Sequence, residues 1–291
     1  MSRTAATLVG ASAILMWSVL AVLTRFSGDV PPLQLTGLSF LIGGLLGSGF
    51  CLWRGTSPFL PIYQRQAWAV GVGGLFFYHL TYFAAMKLAP PMEVSLIAYL
   101  WPLLIVVLSA LMPGERLQFH HVLGVALGFA GAALVISKGN FGAIGQSLTM
   151  GHGLALLCAL IWGLYSVLSR RLKKISTDVV AGFCLVTGVL ALAAHFVVET
   201  TVWPQSVTPW LAIILLGMFP VGLAFFTWDY GVKHGDIMAL GAASYLSPML
   251  SAIALVASGI SGLSASLALA CLFIMCGALV AAKDMIFKKP I

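Results

Sequence analysis

Two hydrophobic hexapeptides decide how this chain is organised: YLWPLL at residues 99–104 and YLSPML at residues 245–250. They share the pattern Tyr-Leu-x-Pro, lie 146 positions apart, and each sits inside a long apolar run. A proline within a helix supplies no backbone N–H, so the carbonyl four residues earlier loses its helical partner. Such a disruption, placed twice at corresponding points, indicates a feature that the whole fold uses.

The composition indicates an integral membrane protein. Of the 291 residues, 60% are hydrophobic and only 8% are charged, whereas a soluble domain carries about 25% charged residues. The net charge of +7 does not indicate nucleic-acid binding, because the basic residues lie between apolar runs. The five cysteines lack Cys-x-x-Cys spacing and are interpreted as small buried side chains. Neither nucleic acid, nor a cofactor, nor a metal is expected.

Apolar runs of the length needed to span a bilayer, about 20 residues, occur ten times. The first is interpreted as a span and not as a signal peptide, because it is long and more spans follow. The ten predicted spans are residues 5–26, 33–53, 67–88, 92–112, 119–137, 151–169, 179–198, 209–229, 237–258 and 263–283.

The basic residues predict the topology, since cytoplasmic loops are enriched in lysine and arginine. With the amino terminus inside, three of the 15 basic residues fall on the outer side: Arg25, Lys87 and Lys138. The other twelve fall on the inner side: Arg3, Arg54, Arg65, Arg116, Arg170, Arg171, Lys173, Lys174, Lys233, Lys283, Lys288 and Lys289. Both termini are therefore expected in the cytoplasm.

The repeated hexapeptide belongs to a longer internal duplication. An offset of 146 also pairs Thr81 with Thr227, Lys87 with Lys233, and Gly131-Ala132 with Gly277-Ala278. An offset of 145 pairs Trp17 with Trp162, Arg25 with Arg170, Gly37 with Gly182, and Gly43 with Gly188. The chain is thus predicted to consist of two repeats, residues 1–145 and 146–291.

Each repeat holds five predicted spans, and an odd number inserts the second repeat upside down. The predicted fold class is therefore an all-α integral membrane protein with ten transmembrane helices in two inverted five-helix repeats. Inverted repeats are typical of secondary transporters, whose halves exchange conformations during alternating access. A structural duplication without transport remains the alternative.

Pro102 and Pro248 each lie about half-way along a predicted span, near the middle of the bilayer. The carbonyls that they free belong to Ala98 and Ser244. Irregular backbone at this depth is tolerated where it lines a cavity or is buried in protein. We therefore interpret both prolines as shaping a central cavity, with two simple packing kinks as the alternative.

Polar aromatic side chains surround these prolines and predict the site. Tyr78 and Tyr82 share one helix face, and His79 beside them is an intramembrane imidazole, which is a functional candidate by default; a neutral imidazole bonded between helices is the alternative. The predicted substrate-binding residues are Tyr78, His79, Tyr82, Tyr99, Trp101, Ser244 and Tyr245, followed by Trp17, Trp162, Tyr165 and Ser247. Aromatic faces, hydroxyls and free carbonyls suit a small zwitterion such as an amino acid.

This sequence lacks the residues that several other classes of protein need. The acidic residues all map to loops or span ends, which disfavours a cation/proton antiporter. No phosphate-binding Gly-x-x-x-x-Gly-Lys-Ser/Thr loop appears, which disfavours direct ATP drive. No His-Glu-x-x-His or Gly-x-Ser-x-Gly pattern indicates a hydrolase. The chain is not expected to be an enzyme.

The two repeats resemble a known family. YLWPLLIVVLSALMPGERL in the fourth span, YLSPMLSAIALVASGIS in the ninth and IWGLY at residues 161–165 are similar to EamA-type repeats of the drug/metabolite transporter superfamily. Gly114-Glu115-Arg116 follows the first hexapeptide, whereas Gly259-Ile260-Ser261 follows the second without the glutamate, and the first repeat has Trp17-Ser18 where the second has Trp162-Gly163. The aromatic residues of the third and fourth spans look most like those of the superfamily's aromatic amino-acid exporters.

The resemblance implies a multi-pass protein of the bacterial inner membrane that exports aromatic and other neutral amino acids. Its partners would be that substrate and the lipid bilayer. The lack of a buried carboxylate favours facilitated diffusion, and His79 leaves proton coupling open. A carrier of another small metabolite or drug, a membrane enzyme and a structural helix bundle remain alternatives. A monomer is expected, although glycines in the fifth and tenth spans leave an oligomer contact open.

Overall fold

A computed structural model describes residues 2–59, 64–110, 118–138, 140, 147–169, 175–235, 240, 243–244, 246–281 and 283. These residues are almost entirely helical. The helices, numbered along the chain, are α1 Arg3–Ser18, α2 Leu20–Phe26, α3 Pro32–Trp53, α4 Arg65–Leu88, α5 Pro91–Ala98, α6 Trp101–Ala110, α7 Phe119–Ser137, α8 Met150–Ser169, α9 Val179–Val198, α10 Val207–Met218, α11 Ala224–His234, α12 Ser247–Ala257 and α13 Ala265–Ala281. A π-helical turn, Phe219–Leu223, joins α10 to α11.

Seven segments of the described chain are long and apolar enough to cross a membrane: Arg3–Phe26, Pro32–Trp53, Arg65–Leu88, Phe119–Ser137, Met150–Leu168, Val179–Val198 and Val207–Gly231. Three shorter apolar helices cover Pro91–Ile105, Ser247–Ala257 and Ala265–Val280. Large apolar side chains remain exposed on the outside of the bundle, for example Trp53 at 81% and Val197 at 82%. An all-helical membrane protein is therefore confirmed.

The two Tyr-Leu-x-Pro segments have the same backbone hydrogen bonds. In the first, Tyr99 and Leu100 form a turn between α5 and α6, and the Leu100 N–H donates to the Ile97 carbonyl at 3.0 Å. In the second, the Leu246 N–H donates to Ala243 at 3.0 Å. The helix then restarts at Trp101-Pro102 and at Ser247-Pro248, because proline is tolerated in a first helical turn. Each proline thus ends a helix break that the sequence predicted as a disruption.

Helices α3 and α9 pack closely through glycines. A Cβ on Gly37 would lie 2.5 Å from Leu192, and one on Gly188 would lie 2.9 Å from Leu41. Small residues let helices approach in this way. Gly182 differs, because its Cβ would meet the carbonyl of Pro58 at 2.3 Å and not α3.

The glycines of α7 and α13 face each other within the chain. A Cβ on Gly131 would lie 2.8 Å from Ile274, and one on Gly277 would lie 2.6 Å from the carbonyl of Gly124. The glycine surface that left an oligomer contact open is thus covered by packing inside the chain.

We name the two ends of the bundle by the helix ends that they contain. The vestibule end contains the carboxyl ends of α2 and α4, and the amino-terminal end contains the start of α1. At the vestibule end, the buried carboxylate of Glu93 accepts from His152 Nε2 at 2.7 Å and lies 3.6 Å from Lys138 Nζ. The Glu199 carboxylate caps α3 there by accepting from the N–H groups of Leu33 and Gln34 at 3.0 and 3.2 Å. These contacts join the two halves of the sequence.

At the amino-terminal end, α1 and α11 come into direct contact. A Cβ on Gly231 would lie 2.4 Å from the Gly10 Cα, so the two backbones touch without intervening side chains. Thr177 Oγ1 also donates to the Asp229 carboxylate, and Arg54 Nη1 lies 3.9 Å from Asp178. Among the described residues, these contacts hold this end of the bundle together.

The cysteines were all expected to be buried. All five are free, and Cys51, Cys158, Cys184 and Cys271 are buried, but Cys276 is exposed. It lies on α13 between the buried Ile274 and Gly277 and faces outward, away from α7. For Cys276 the expectation of burial was wrong.

Two adjacent glycines of α4 provide a matched test of this packing. A Cβ on Gly74 would lie 2.3 Å from the Tyr165 ring, whereas one on Gly73 would meet nothing within 4 Å. We expect Gly74→Ala to lower stability by about 1–3 kcal/mol through overpacking. Gly73→Ala should be neutral or raise stability by up to ~1 kcal/mol through helix propensity. Thermal unfolding in detergent measures both, and equal midpoints would contradict the α4–α8 contact.

Candidate functional site

A small chamber lies at the centre of the bundle, where α5 gives way to α6. Its volume is about 30 Å³, measured as the space open to the centre of a water-sized sphere. A water molecule needs at least about 10–15 Å³ of such space, so the chamber has room for little more than water in this conformation. It is lined by Trp17, Leu20, Tyr78, His79, Tyr82, Ser95, Ala98, Tyr99, Trp101, Trp162 and Phe225.

Trp162 is the centre of the aromatic lining. Its ring centroid lies 4.9 Å from Tyr78, 5.7 Å from Phe225 and 5.9 Å from Trp17. It also lies 6.5 Å from Trp101. These spacings are those of offset and edge-to-face aromatic pairs. Tyr78 and Tyr82, one turn apart on α4, stack with their planes 10° apart. The chamber therefore presents flat, rigid aromatic surfaces.

The side chain of His79 is held in one orientation. Its Nδ1 lies 2.9 Å from the carbonyl oxygen of Leu75, one turn earlier in α4. Because a carbonyl only accepts, Nδ1 must carry the proton, so the neutral ring offers the lone pair of Nε2. The rings of Phe40, Tyr78, Phe83 and Phe225 surround it with centroids 4.6 to 5.8 Å away. This hydrogen bond stays within α4, whereas the alternative interpretation of His79 expected an imidazole bonded between helices.

Two long-range hydrogen bonds position Trp17. Its indole Nε1 donates to the Pro220 carbonyl at 3.1 Å, inside the π-helical turn between α10 and α11. The Tyr99 hydroxyl in turn donates to the carbonyl of Trp17 at 3.2 Å. Helix breaks at Val19 and at Tyr99-Leu100 therefore meet at the chamber. Irregular backbone of three segments surrounds one point in the bundle.

Polar groups in the lining supply both donors and acceptors. Ser95 Oγ lies 2.8 Å from Ser251 Oγ, which connects α5 to α12. Within the described part of the chain, the indole N–H groups of Trp101 and Trp162 have no hydrogen-bond acceptor recorded, and both side chains line the chamber. Pro102 has no N–H with which to occupy the Ala98 carbonyl, and Ala98 also lines the chamber. These groups remain available to a bound polar molecule.

A second, wider space, which we call the vestibule, lies about one helical turn from the chamber, at the vestibule end of the bundle. Its volume by the same measure is about 360 Å³. Phe83 lines the vestibule, and its ring lies 5.6 and 5.9 Å from the chamber residues His79 and Tyr82. The buried side chains of Phe83 and Leu35 therefore form the floor between the two spaces.

The structure brings together only part of the predicted site. Seven predicted residues line the chamber: Trp17, Tyr78, His79, Tyr82, Tyr99, Trp101 and Trp162. The lining excludes Tyr165, which packs 5.1 Å from Trp162, and the buried Ser244, Ser247, Pro102 and Pro248. Tyr245 lies outside the described residues, as do the loop residues Glu115, Arg116, Arg170, Arg171, Lys173, Lys174, Lys288 and Lys289.

Sequence reasoning missed three lining residues: Leu20, Ser95 and Phe225. The fourth lining residue outside the predicted binding set is Ala98, whose freed carbonyl the sequence did indicate. Ser95 had a signal, because it lies four residues before Tyr99 and so shares its helix face. Phe225 follows the π-helical turn, which adds one residue and rotates the face of α11 by about 100°. Nothing in the spacing of apolar residues indicates that rotation.

Replacing His79 with glutamine distinguishes a fixed neutral imidazole from one that transfers protons. If the imidazole serves as a fixed neutral group, His79→Gln should leave the ratio of transport at about pH 5.5 and about pH 7.5 unchanged, since nothing in the chamber then titrates over that range. The measurement is initial exchange of labelled substrate at both pH values, with wild type as the control. Loss of a pH response that wild type possesses would instead assign proton transfer to His79.

The architecture defines a class of protein: a polytopic helical membrane protein with an internal aromatic chamber. The chain belongs to the EamA-like transporter family, whose family model matches residues 4–137 and again residues 149–282. The family resemblance of the sequence is thereby confirmed. The family is described as one of transporters, not of enzymes.

Similar proteins cover nearly the whole chain. The "Aromatic amino acid exporter YddG" of Ancylobacter novellus is 48% identical over 283 residues, which are 97% of this chain and 98% of that protein. The protein of the same name from Escherichia coli is 27% identical over 86% of this chain and 87% of its own. A crystal structure of a protein 48% identical to this chain matches with a TM-score of 0.75 and covers 97% of this chain and 99% of that one.

Proposed function

We propose that the protein is a secondary transporter that exports aromatic and other neutral amino acids across the bacterial inner membrane. The observation that carries this proposal is the aromatic chamber, a cluster of rings with unoccupied donors and acceptors inside an apolar bundle. Relatives named as aromatic amino acid exporters support this substrate class. Aromatic pairs add about 0.5–1.5 kcal/mol beyond area burial, so a chamber of this kind favours substrates that carry a ring.

The lining suits each part of an amino acid. The substrate ring packs against Trp162 and Tyr78. Its carboxylate accepts from the indole N–H groups of Trp101 and Trp162, and its ammonium donates to the carbonyl of Ala98 or lies over a ring face. Because none of these groups is a full charge, binding is weak enough for release on the far side.

Alternating access is the mechanism that this arrangement favours. A chamber of about 30 Å³ is too small for an amino acid, so the helices must separate before substrate enters. We propose that the closed amino-terminal end opens when the vestibule end closes, and that the paired breaks at Leu100 and Leu246 are the hinges. Equivalent breaks in two repeats allow the halves to exchange roles.

The topology of the proposal has ten spans in two inverted repeats, residues 1–145 and 146–291, with both termini in the cytoplasm. Seven long helices and three shorter ones among the described residues are consistent with ten crossings. Matching of the family model to each half supports the repeats. Twelve basic residues against three favour a cytoplasmic amino-terminal end and a vestibule that opens outward.

Facilitated diffusion is the proposed energetics. The lining contains no carboxylate among the described residues, and its imidazole is surrounded by aromatic rings. The substrate's own gradient, from cytoplasm to outside, then drives export. Proton antiport is the second candidate, and the observation that favours it is the position of His79 in the lining.

Counterflow of labelled phenylalanine in proteoliposomes tests the proposal. Vesicles that contain the protein and unlabelled phenylalanine should accumulate external label, and vesicles without protein should not. A pH gradient imposed without internal phenylalanine should produce no accumulation. Unlabelled tryptophan and tyrosine should compete with the label, whereas a nucleoside or a sugar should not.

Each contrary result has one meaning. No counterflow of phenylalanine would remove the amino-acid substrate, and competition by a nucleoside or sugar would replace it with another class. Accumulation driven by the pH gradient alone would establish proton antiport. Unchanged counterflow in Tyr82→Phe, Trp101→Ala and His79→Ala proteins would show that the chamber is not the binding site.

A further inference from the structure

The vestibule contains two cationic side chains that the chamber does not use. Arg25 lies in the last turn of α2 and Lys87 in the last turn of α4, and both are exposed to the vestibule. Asp29, in the turn after α2, lines the same space. The vestibule therefore carries two positive charges and one negative charge on about 360 Å³ of open volume.

Neither cation is neutralised by a direct partner in the described part of the chain. Lys138, in contrast, lies 3.6 Å from Glu93, and Arg54 lies 3.9 Å from Asp178. Lys87 interacts electrostatically with Asp29 and Glu199 as opposite charges and with Arg25 as a like charge, yet ion pairs within 4.0 Å at Lys87 or Arg25 are absent from the described residues.

Glu199 is not free to neutralise Lys87. Its Oε1 accepts from the Leu33 N–H at 3.0 Å. Its Oε2 lies 3.2 Å from the Gln34 N–H and 2.9 Å from His195 Nδ1. Both oxygens are thus committed to the cap of α3 and to α9. The positive charge of the vestibule remains available to an incoming anion.

Membrane topology does not account for these two cations. Under the proposed orientation, Arg25, Lys87 and Lys138 are the basic residues on the outer side, where such residues are disfavoured. Lys138 has a structural partner in Glu93. Arg25 and Lys87 instead face the space through which a solute passes to the chamber.

We propose that Arg25, Lys87 and Asp29 form a second, low-affinity binding site for α-amino acids in the vestibule. The inference rests on the proposed function for the identity of its ligand. The guanidinium of Arg25 and the ammonium of Lys87 bind the carboxylate, and Asp29 accepts from the ammonium. An arginine fork matches a carboxylate in plane, and a lysine adds a point charge. The site captures substrate between the floor at Phe83 and the outer water.

The affinity of this site is limited by its exposure to water. Ion pairs that water and salt can reach are each worth only about two- to fivefold in binding. Salt screens such pairs, with a Debye length of about 10 Å at 0.1 M. Loss of both cations should therefore weaken carboxylate binding by about fivefold to twentyfold at low salt and by less at high salt.

Three phenylalanine-related probes test the site on the purified full-length protein. They are phenylalanine, 3-phenylpropionate, which lacks the ammonium, and phenylalaninamide, which lacks the carboxylate. The readout is thermal stabilisation in detergent, which rises with ligand occupancy. In Arg25→Gln/Lys87→Gln protein, the half-saturating concentration of 3-phenylpropionate should rise about fivefold to twentyfold, whereas that of phenylalaninamide, a cation that both side chains repel, should not rise.

Two further variants control this result. Arg25→Lys/Lys87→Arg keeps both charges and should restore carboxylate binding. Arg65→Gln removes an exposed cation from the opposite end of the same helix as Lys87 and should bind all three probes as wild type does. A role of Arg25 and Lys87 only in stabilising the carboxyl ends of their helices would change the unfolding temperature without ligand and leave carboxylate binding intact, which would overturn the proposal.

Failure of this inference is distinguishable from failure of the proposed function. Equal half-saturation by 3-phenylpropionate in Arg25→Gln/Lys87→Gln and Arg65→Gln proteins overturns the vestibule site, even if phenylalanine counterflow succeeds. Absence of stabilisation by 3-phenylpropionate in wild type overturns it as well. A third outcome is that phenylalanine is not transported while 3-phenylpropionate binding still depends on the two cations. In that case the vestibule is a carboxylate site, and the proposal of amino-acid export is the one that is rejected.

Discussion

Under the proposed alternating access, replacing Gly231 with alanine should lower the population that is open at the vestibule end by about tenfold or more and slow exchange with it. The added Cβ would lie 2.4 Å from the Gly10 Cα and 3.0 Å from the Gly10 N. Backbone atoms cannot turn aside as a side chain can, so α1 and α11 must separate. Overpacking of this kind costs about 1–3 kcal/mol, and it acts only in the state whose amino-terminal end is closed.

Cysteine labelling from the vestibule measures this population. Pro91 lines the vestibule and is only half-buried, and Pro91→Cys in a Cys276→Ser background leaves four buried native cysteines that are shielded from a membrane-impermeant maleimide. The labelling rate should fall about tenfold when Gly231→Ala is added. Labelled phenylalanine exchange should fall in parallel, because each transport cycle passes through the disfavoured state.

Gly49→Ala is the matched control. Gly49 also lies within a predicted span, in α3, but a Cβ there would meet nothing within 4 Å. Its labelling and exchange rates should equal those of the parent protein. Unchanged labelling in Gly231→Ala protein that is monodisperse on gel filtration would contradict closure of the amino-terminal end by the Gly10–Gly231 contact.

The helical fold could be largely predicted because hydrophobic length and helix-breaking residues have local causes. The run before Trp53 and the run before Leu88 predicted α3 and α4 to within two residues at both ends. Pro102 predicted the break beside Tyr99, since the missing N–H is a property of the residue itself. Val19 carries no such signal, and the break between α1 and α2 arises only from tertiary packing.

The chamber was less predictable because helix rotation is a global property. Tyr78 and Tyr82 were found because they are four residues apart and share one helix face. Tyr99 was found because it flanks Pro102. Ser247 was predicted by the same logic, since it corresponds to Trp101 at the 146-residue offset. Its side chain is buried away from the lining. A sequence repeat thus predicts equivalent elements but not equivalent exposure to the chamber.

Replacing Trp162 with alanine should reduce phenylalanine exchange more than any other single change in the chamber. The Trp162 ring contacts five aromatic neighbours, of which Trp17, Tyr78, Trp101 and Phe225 also line the chamber. Its removal takes away one aromatic surface of the substrate site and allows the neighbouring rings to reorient. With each lost aromatic pair worth about 0.5–1.5 kcal/mol, the half-saturating phenylalanine concentration should rise about tenfold to a hundredfold.

Stability and binding must be separated for this variant, because truncation of a buried tryptophan costs about 3–5 kcal/mol. Trp162→Phe keeps a ring at the same place and should retain most of the binding with a smaller loss of stability. Trp53→Ala removes an indole that is 81% exposed on the outside of the bundle and should leave exchange unchanged. If Trp162→Phe and Trp162→Ala proteins of correct size both exchange phenylalanine with wild-type half-saturation, the aromatic chamber does not bind the ring of the substrate. A graded loss, with phenylalanine at residue 162 between tryptophan and alanine, is the result expected when stacking supplies the affinity.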